Sequence, residues 1–364
     1  MTMQPNTKRA TQDSHNLDFL RATAVSLVVV FHLLLFFGKV TIGGVNLRWM
    51  GLVGVLLFFV HTSLVLMFSL DREQKKLSGA KLYWSFVLRR CFRIYPLSIL
   101  AVAVIYVLQL PMSHLAPGHM FYIPTGSFGF LSNILLVQNL TNKESILGPL
   151  WSLPYEMQMY VFLPFLFLFA NRIRTIRPLL GLWAGAAALA MVQARFGHMP
   201  DVIKYVPCFI PGIIAYKTWS TSQPRWPFRY WPLALAAIVA AAILFVDYER
   251  GWVICLLTGL LVPRFIDMPK GWLQKSCQMI AKYSYGIYLG HYLCLWAAFV
   301  KFAFLPMAAR WAIFLVTVVA LPVVVFHTIE EPMIKVGKNL ARRVFSARPA
   351  TSVRTSLAAM PDAG

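Results

Sequence analysis

Arg21 and His32 stand eleven positions apart in the apolar run LDFLRATAVSLVVVFHL. On a helix, that spacing returns to within about 20° of the same face and rises about 16 Å. One face of one helix would therefore carry a guanidinium near its start and an imidazole near the bilayer midplane. A neutral imidazole at such a depth can serve as general base toward a hydroxyl. The segment RRCFRIYP adds Arg89, Arg90 and Arg93. Arg90 and Arg93 fall on neighbouring positions of one helical face, so both forks can close on one anion, with Arg89 beside them. A polyphosphate is the ligand type that suits such a pair. Glu156, in WSLPYEMQMY, is the acid lying well inside an apolar segment, a candidate for catalysis or for holding a substrate hydroxyl. His61, His291 and the run HTIEEP (His327, Glu330, Glu331) are secondary candidates. Each motif also has a plainer reading: topogenic charge for the arginines, a hydrogen-bonded buried side chain for the histidines, a structural ion pair for Glu156, and solvated charge for HTIEEP. No P-loop, GxSxG, HExxH or metal-spaced Cys/His cluster is found, so serine hydrolysis, zinc chemistry and any other metal site have no support in the sequence.

The elements that must position these residues follow from composition. Of 364 residues, 59% are hydrophobic and 13% charged, about half the charge a soluble domain carries. Apolar blocks near the length needed to cross a bilayer recur along the chain. Ten spans are expected, at about 19–37, 49–70, 94–110, 153–170, 178–194, 205–217, 231–246, 251–263, 283–304 and 311–328. Pro207 and Pro211 should kink or break the sixth. With the N-terminus inside, 26 of the 34 Lys and Arg fall in cytoplasmic segments. That bias obeys the positive-inside rule and puts both termini in the cytoplasm. The net charge of +21 then reads as topology, with anionic membrane lipids as counterion and no call for nucleic acid. The expected fold is all-α, a polytopic membrane bundle: a cytoplasmic tail over 1–18, a membrane domain over 19–335 and a basic, disordered tail over 336–364. The first span is expected to be a retained helix and not a cleaved leader, and no appended soluble domain is expected. Residues 128–140 suggest an interfacial or re-entrant helix. Trp49, Trp151, Trp219, Trp231 and Trp311 read as interface anchors. The five Cys read as small core residues.

In order along 20–335, these motifs resemble the acyltransferase 3 family of integral membrane O-acyltransferases. Arg21 to His32 is similar to its R-x10-H, Arg90 to Arg93 to its R-x-x-R, and WSLPYE ending in Glu156 to its WSLxxE. GVLLFFVHTSLVL, FIPGIIAY, SYGIYLGH and IEEP are further landmarks. The resemblance implies transfer of an acetyl group, from acetyl-CoA as co-substrate, to a hydroxyl of an envelope carbohydrate or lipid-linked glycan at the bacterial inner membrane. By position, His32 would be the catalytic histidine with Arg21 and Glu156, while Arg90, Arg93 and Arg89 would hold the CoA phosphates. The second span departs from the family's GVDLFFVLSG, with Leu56 in place of Asp and His61-Thr62-Ser63 around the Ser-Gly pair. Met157 replaces a frequent second Glu. The competing reading is a proton-coupled transporter or flippase of a glycolipid or small anion, using His32 and Glu156.

Overall fold

The computed structural model describes residues 14–108, 110, 114–116, 119–120, 125–196, 201–245 and 251–345. Twelve α-helices carry the described fold: α1 His15–Phe36, α2 Met50–Gln74, α3 Gly79–Leu108, α4 Ser127–Ile134, α5 Leu153–Arg172, α6 Arg177–Phe196, α7 Val202–Thr221, α8 Tyr230–Phe245, α9 Gly251–Leu261, α10 Trp272–Trp296, α11 Met307–Val325 and α12 Glu331–Phe345. Each expected span falls on one of them. Among the described residues, six stretches are long and apolar enough to cross a membrane: α1, α2, α3, α5 with the turn before it, α6, and α11 with its continuation. α8 and α9 are apolar but shorter, and α10 is diluted by the polar residues of SYGIYLGH.

Three differences from the sequence expectation have local causes. α7 runs unbroken through Pro207 and Pro211. Its flanks are packed against α2, α6 and α9, which hold the helix across the two hydrogen bonds the prolines delete. The stretch 128–140 yields only the short α4, after which the chain turns at Leu136 with a positive φ of 54°. The basic tail is helical through Phe345: α12 lays Gly337 and Ala341 against α3, Gly337 meeting Phe92. The remainder of the expected disordered tail, 346–364, and residues 1–13 of the N-terminal tail lie outside the described residues.

The bundle centres on α1, α2 and α10, with α7 behind α2. Ser14 Oγ and the Asn16 backbone N–H both donate to Asp267 Oδ1, at 2.8 and 3.1 Å. Those bonds start α1 beside the entry to α10, and the two helices run side by side in the same direction. Without a hydrophobic drive between helices in lipid, close backbone approach does the packing. Gly54 is such a point: a Cβ there would lie 2.6 Å from the Ala24 carbonyl oxygen of α1. Gly212 is another, seating α7 on α2 against Ser63 and 2.5 Å from the Val60 carbonyl. Ser63 itself is buried, its hydroxyl donating to the Phe59 and Val60 carbonyls at 2.8 and 3.1 Å. Gly212→Val should cost about 1–3 kcal/mol by overpacking, read as a lower melting temperature in detergent, whereas Gly181→Ala, inside α6 with open space around it, should hold or raise the melting temperature.

Candidate active site

Three cavities stand in a row through the bundle, each sharing wall residues with the next. The inner one, about 520 Å³, lies between the first turns of α1, the middle of α2 and the first half of α10. Arg21, His61 and Val65 separate it from a narrow central cavity of about 110 Å³. Val55 and Tyr288 separate the central cavity from an outer one of about 660 Å³. Arg21 faces the inner and central cavities and His32 the outer, so one face of α1 serves the whole row.

The central cavity gathers charge. Arg21, Arg90, Arg93 and Glu156 line it, and Arg21 interacts electrostatically with Arg93, Glu156 and Glu330. Glu156 Oε1 accepts from Thr62 Oγ1 at 3.3 Å and its Oε2 from Tyr160 OH at 3.2 Å. The Nε atoms of Arg21 and Arg90 are buried without a hydrogen-bond partner, as is Glu330 Oε1. Three guanidinium groups line the cavity with the Glu156 carboxylate, and Glu330, outside its wall, acts electrostatically on Arg21 and Arg93. An anion entering the cavity would find donors already desolvated and aimed.

His32 lies four residues before the end of α1 at Phe36, nearer that end than the middle of the helix. Its Nδ1 is 2.8 Å from the Val28 carbonyl oxygen and 3.1 Å from His291 Nε2. His291 Nδ1 is in turn 3.1 Å from the Ile287 carbonyl oxygen. A carbonyl can only accept, so each Nδ1 carries the proton. His291 Nε2 is then the acceptor of the shared His32 N–H, and His32 keeps its lone pair on Nε2. Tyr292 stands edge-on to His32, its ring centroid 4.7 Å away. The segment SYGIYLGH now has a geometric meaning. Tyr285 and Tyr288 line the central cavity, Tyr288 and Tyr292 the outer one, and His291 reaches His32 from the same stretch of α10. Tyr285 OH donates to the Ile94 carbonyl at 2.7 Å, and Tyr288 OH meets Ser152 Oγ at 2.9 Å on the wall between the central and outer cavities.

Several sequence expectations change. Glu156 shares the central cavity with the arginines and is not brought to His32. Arg89 is held outside the row by an ion pair with Glu73 of α2 and by a bond from its Nε to the Ser85 carbonyl. Trp49 and Trp151 are not merely anchors, because both line the outer cavity with His32. Trp231 is fully buried. Leu56, at the family's Asp position, faces α9, where it meets Gly251 and its carbonyl accepts from Cys255 Sγ at 3.7 Å. That departure leaves the cavities untouched. Glu330 and Glu331 part company: Glu331 is solvated and paired with His327 and Lys335, at 3.1 and 2.9 Å, whereas Glu330 is buried. Neighbouring residues on a helix point about 100° apart, so one of the two can be buried while the next is solvated. On α12, burial and then the neighbouring Arg90, Arg89 and Arg93 push the Lys338 ammonium below the usual lysine range, which marks it as a neighbour of the cluster.

The family model described as "Acyltransferase domain" (acyltransferase 3) matches residues 14–328. The chain belongs to the acyltransferase 3 family. Among curated proteins it is similar to the peptidoglycan O-acetyltransferase OatA of Listeria monocytogenes serovar 1/2a, 26% identical over 333 residues. That match covers 78% of this chain and 50% of OatA, so the chain spans about half the length of the curated relative it matches. No solved structure matches it. For this acyltransferase 3 domain, the charge imbalance of the central cavity makes a direct prediction. Glu156→Gln removes the carboxylate that lines the cavity with three arginines and should cost on the order of 2–3 kcal/mol. Millimolar pyrophosphate should restore the lost melting temperature.

Proposed function

We propose that this protein is a membrane O-acyltransferase that carries an acetyl group from cytoplasmic acetyl-CoA to a hydroxyl of a carbohydrate or lipid-linked glycan on the outer side. The N-terminus and the inner cavity face the cytoplasm, the ten apolar helices cross the bilayer, and the membrane is the bacterial inner membrane. Membership of the family and the likeness to a peptidoglycan O-acetyltransferase support the reaction class. The observation that carries the reading is the pairing of distances. Arg21 and His32 are separated by about 16 Å along α1. The phosphopantetheine arm of CoA has about thirteen bonds between phosphorus and sulfur, which span about 15 Å at the reach of an extended peptide. Phosphates held at Arg21, Arg90 and Arg93 would thus bring the thioester to His32.

The chain's residues then divide the work. The arginine donors bind the diphosphate, replacing the partners their Nε atoms lack. Glu156 tempers the charge of the cluster and orients Arg21. In the outer cavity Trp49 and Trp151 offer flat apolar faces to a sugar ring. His32 Nε2 takes the proton of the acceptor hydroxyl as its oxygen attacks the thioester carbonyl. A tetrahedral intermediate forms, the carbon–sulfur bond breaks, and the imidazolium returns the proton to the departing thiolate. His291 holds the imidazole through Nδ1, so the ring does not turn its lone pair away. The Tyr288–Ser152 pair must part to admit the arm. A transporter would use the same row of cavities, yet it gives no role to a histidine pair set at the wall of a sugar-sized cavity.

Thermal melting with and without acetyl-CoA, run beside an acetyl-transfer assay, tests the division. His32→Gln should keep the stabilisation by acetyl-CoA and lose transfer by at least about a hundredfold, as expected for a missing general base. Arg90→Ala/Arg93→Ala should lose both. A wild-type protein that acetyl-CoA does not stabilise, or a His32→Gln protein with undiminished transfer, would overturn the proposal.

A further inference from the structure

The central cavity is too small for most of the donor. Its 110 Å³ holds about four waters at about 30 Å³ each, room for a narrow chain or a phosphate but not for a nucleoside. The inner cavity, at about 520 Å³, is of nucleotide size and shares Arg21 with the central one as a wall residue. Its polar walls come from α1, α10 and α2: Asp18 and Arg21 on the first, Lys275, Gln278 and Lys282 on the second, and His61 on the third. Lys275 and Lys282 are seven residues apart, two helical turns, so they share a face of α10 with Gln278 between them. The Lys282 ammonium is held over the rings of Tyr283 and Phe326, with centroids 5.0 and 4.9 Å away. Asp18 is partly engaged by His15, 3.7 Å away. The cavity therefore presents three cations against one carboxylate that already has a partner. Lysines that serve only to fix topology face lipid headgroups; these two line a cavity that Arg21 also lines.

We propose that the inner cavity is a nucleotide-phosphate subsite, in which Lys275 and Lys282 hold the 3′-phosphate of CoA while its diphosphate lies at Arg21. The proposal rests on the acyl-CoA reading above and adds to it the means of selecting CoA over other thioesters. The test compares CoA with dephospho-CoA, which lacks only the 3′-phosphate. Binding of each is measured to the detergent-purified full chain, to Lys275→Ala/Lys282→Ala, and to Lys270→Ala as an exposed lysine outside the cavity. Wild type and Lys270→Ala should bind CoA about tenfold more tightly than dephospho-CoA, the worth of one charge-assisted hydrogen bond. The double variant should bind both equally, at the dephospho-CoA level, and Lys275→Arg/Lys282→Arg should regain the preference. Equal binding of the two by wild type, or a preference surviving in the double variant, overturns the subsite and leaves the donor reading standing. Binding of neither by wild type overturns the donor reading and the subsite with it.

Discussion

Three guanidinium groups inside an apolar bundle are the constraint around which this structure is arranged. Unpaired charge is costly at such a site, and its cost is borne by neighbours drawn from separate elements. Glu156 comes from the first turn of α5, Thr62 from α2, Tyr160 from α5 and Glu330 from the π-helical turn after α11. Each of those elements has to be seated closely for its polar atom to arrive. Gly54 and Gly212 provide that seating for α1, α2 and α7. The remaining imbalance, with two arginine nitrogens still lacking partners, is the form of a site waiting for an anion.

The histidine end obeys the opposite logic. Two imidazoles on parallel helices satisfy each other and two backbone carbonyls, and no carboxylate is present in the bonds that fix them. The tautomer is dictated by main-chain oxygens one turn back in each helix. An imidazole held in this way depends on helix geometry for its orientation, which ties it to α1 and α10 lying side by side in the same direction. The link from Ser14 and Asn16 to Asp267 registers the two helices at the far end.

Much of this was legible in the sequence, for specific reasons. Arg21 and His32 share one helix, so their spacing alone put them on one face. Arg90 and Arg93 are likewise a local pair, and the apolar blocks marked every helix that carries a site residue. What could not be read was any relation between helices. Glu156 pointed equally well to His32 or to the arginines until α5 was docked. Arg89, one residue from Arg90, was separated from it by 100° of helical turn and by Glu73. Glu330 and Glu331 read as one solvated run because which of two adjacent helical positions is covered depends on the neighbouring helices. Trp49 and Trp151 resembled interface anchors because an aromatic residue at a helix end has the same appearance in either role. Leu56 looked like damage to the site and proved to face another helix.

The central claim is that donor and acceptor meet across the bundle from opposite sides. The most direct measurement uses the protein reconstituted with a single orientation in sealed vesicles, with radiolabelled acetyl-CoA outside or inside and a soluble glycan acceptor on the same or the opposite side. The account predicts labelled glycan only when acetyl-CoA is on the face bearing the N-terminus and the glycan is on the other. Transfer that proceeds only with both on one side would contradict it.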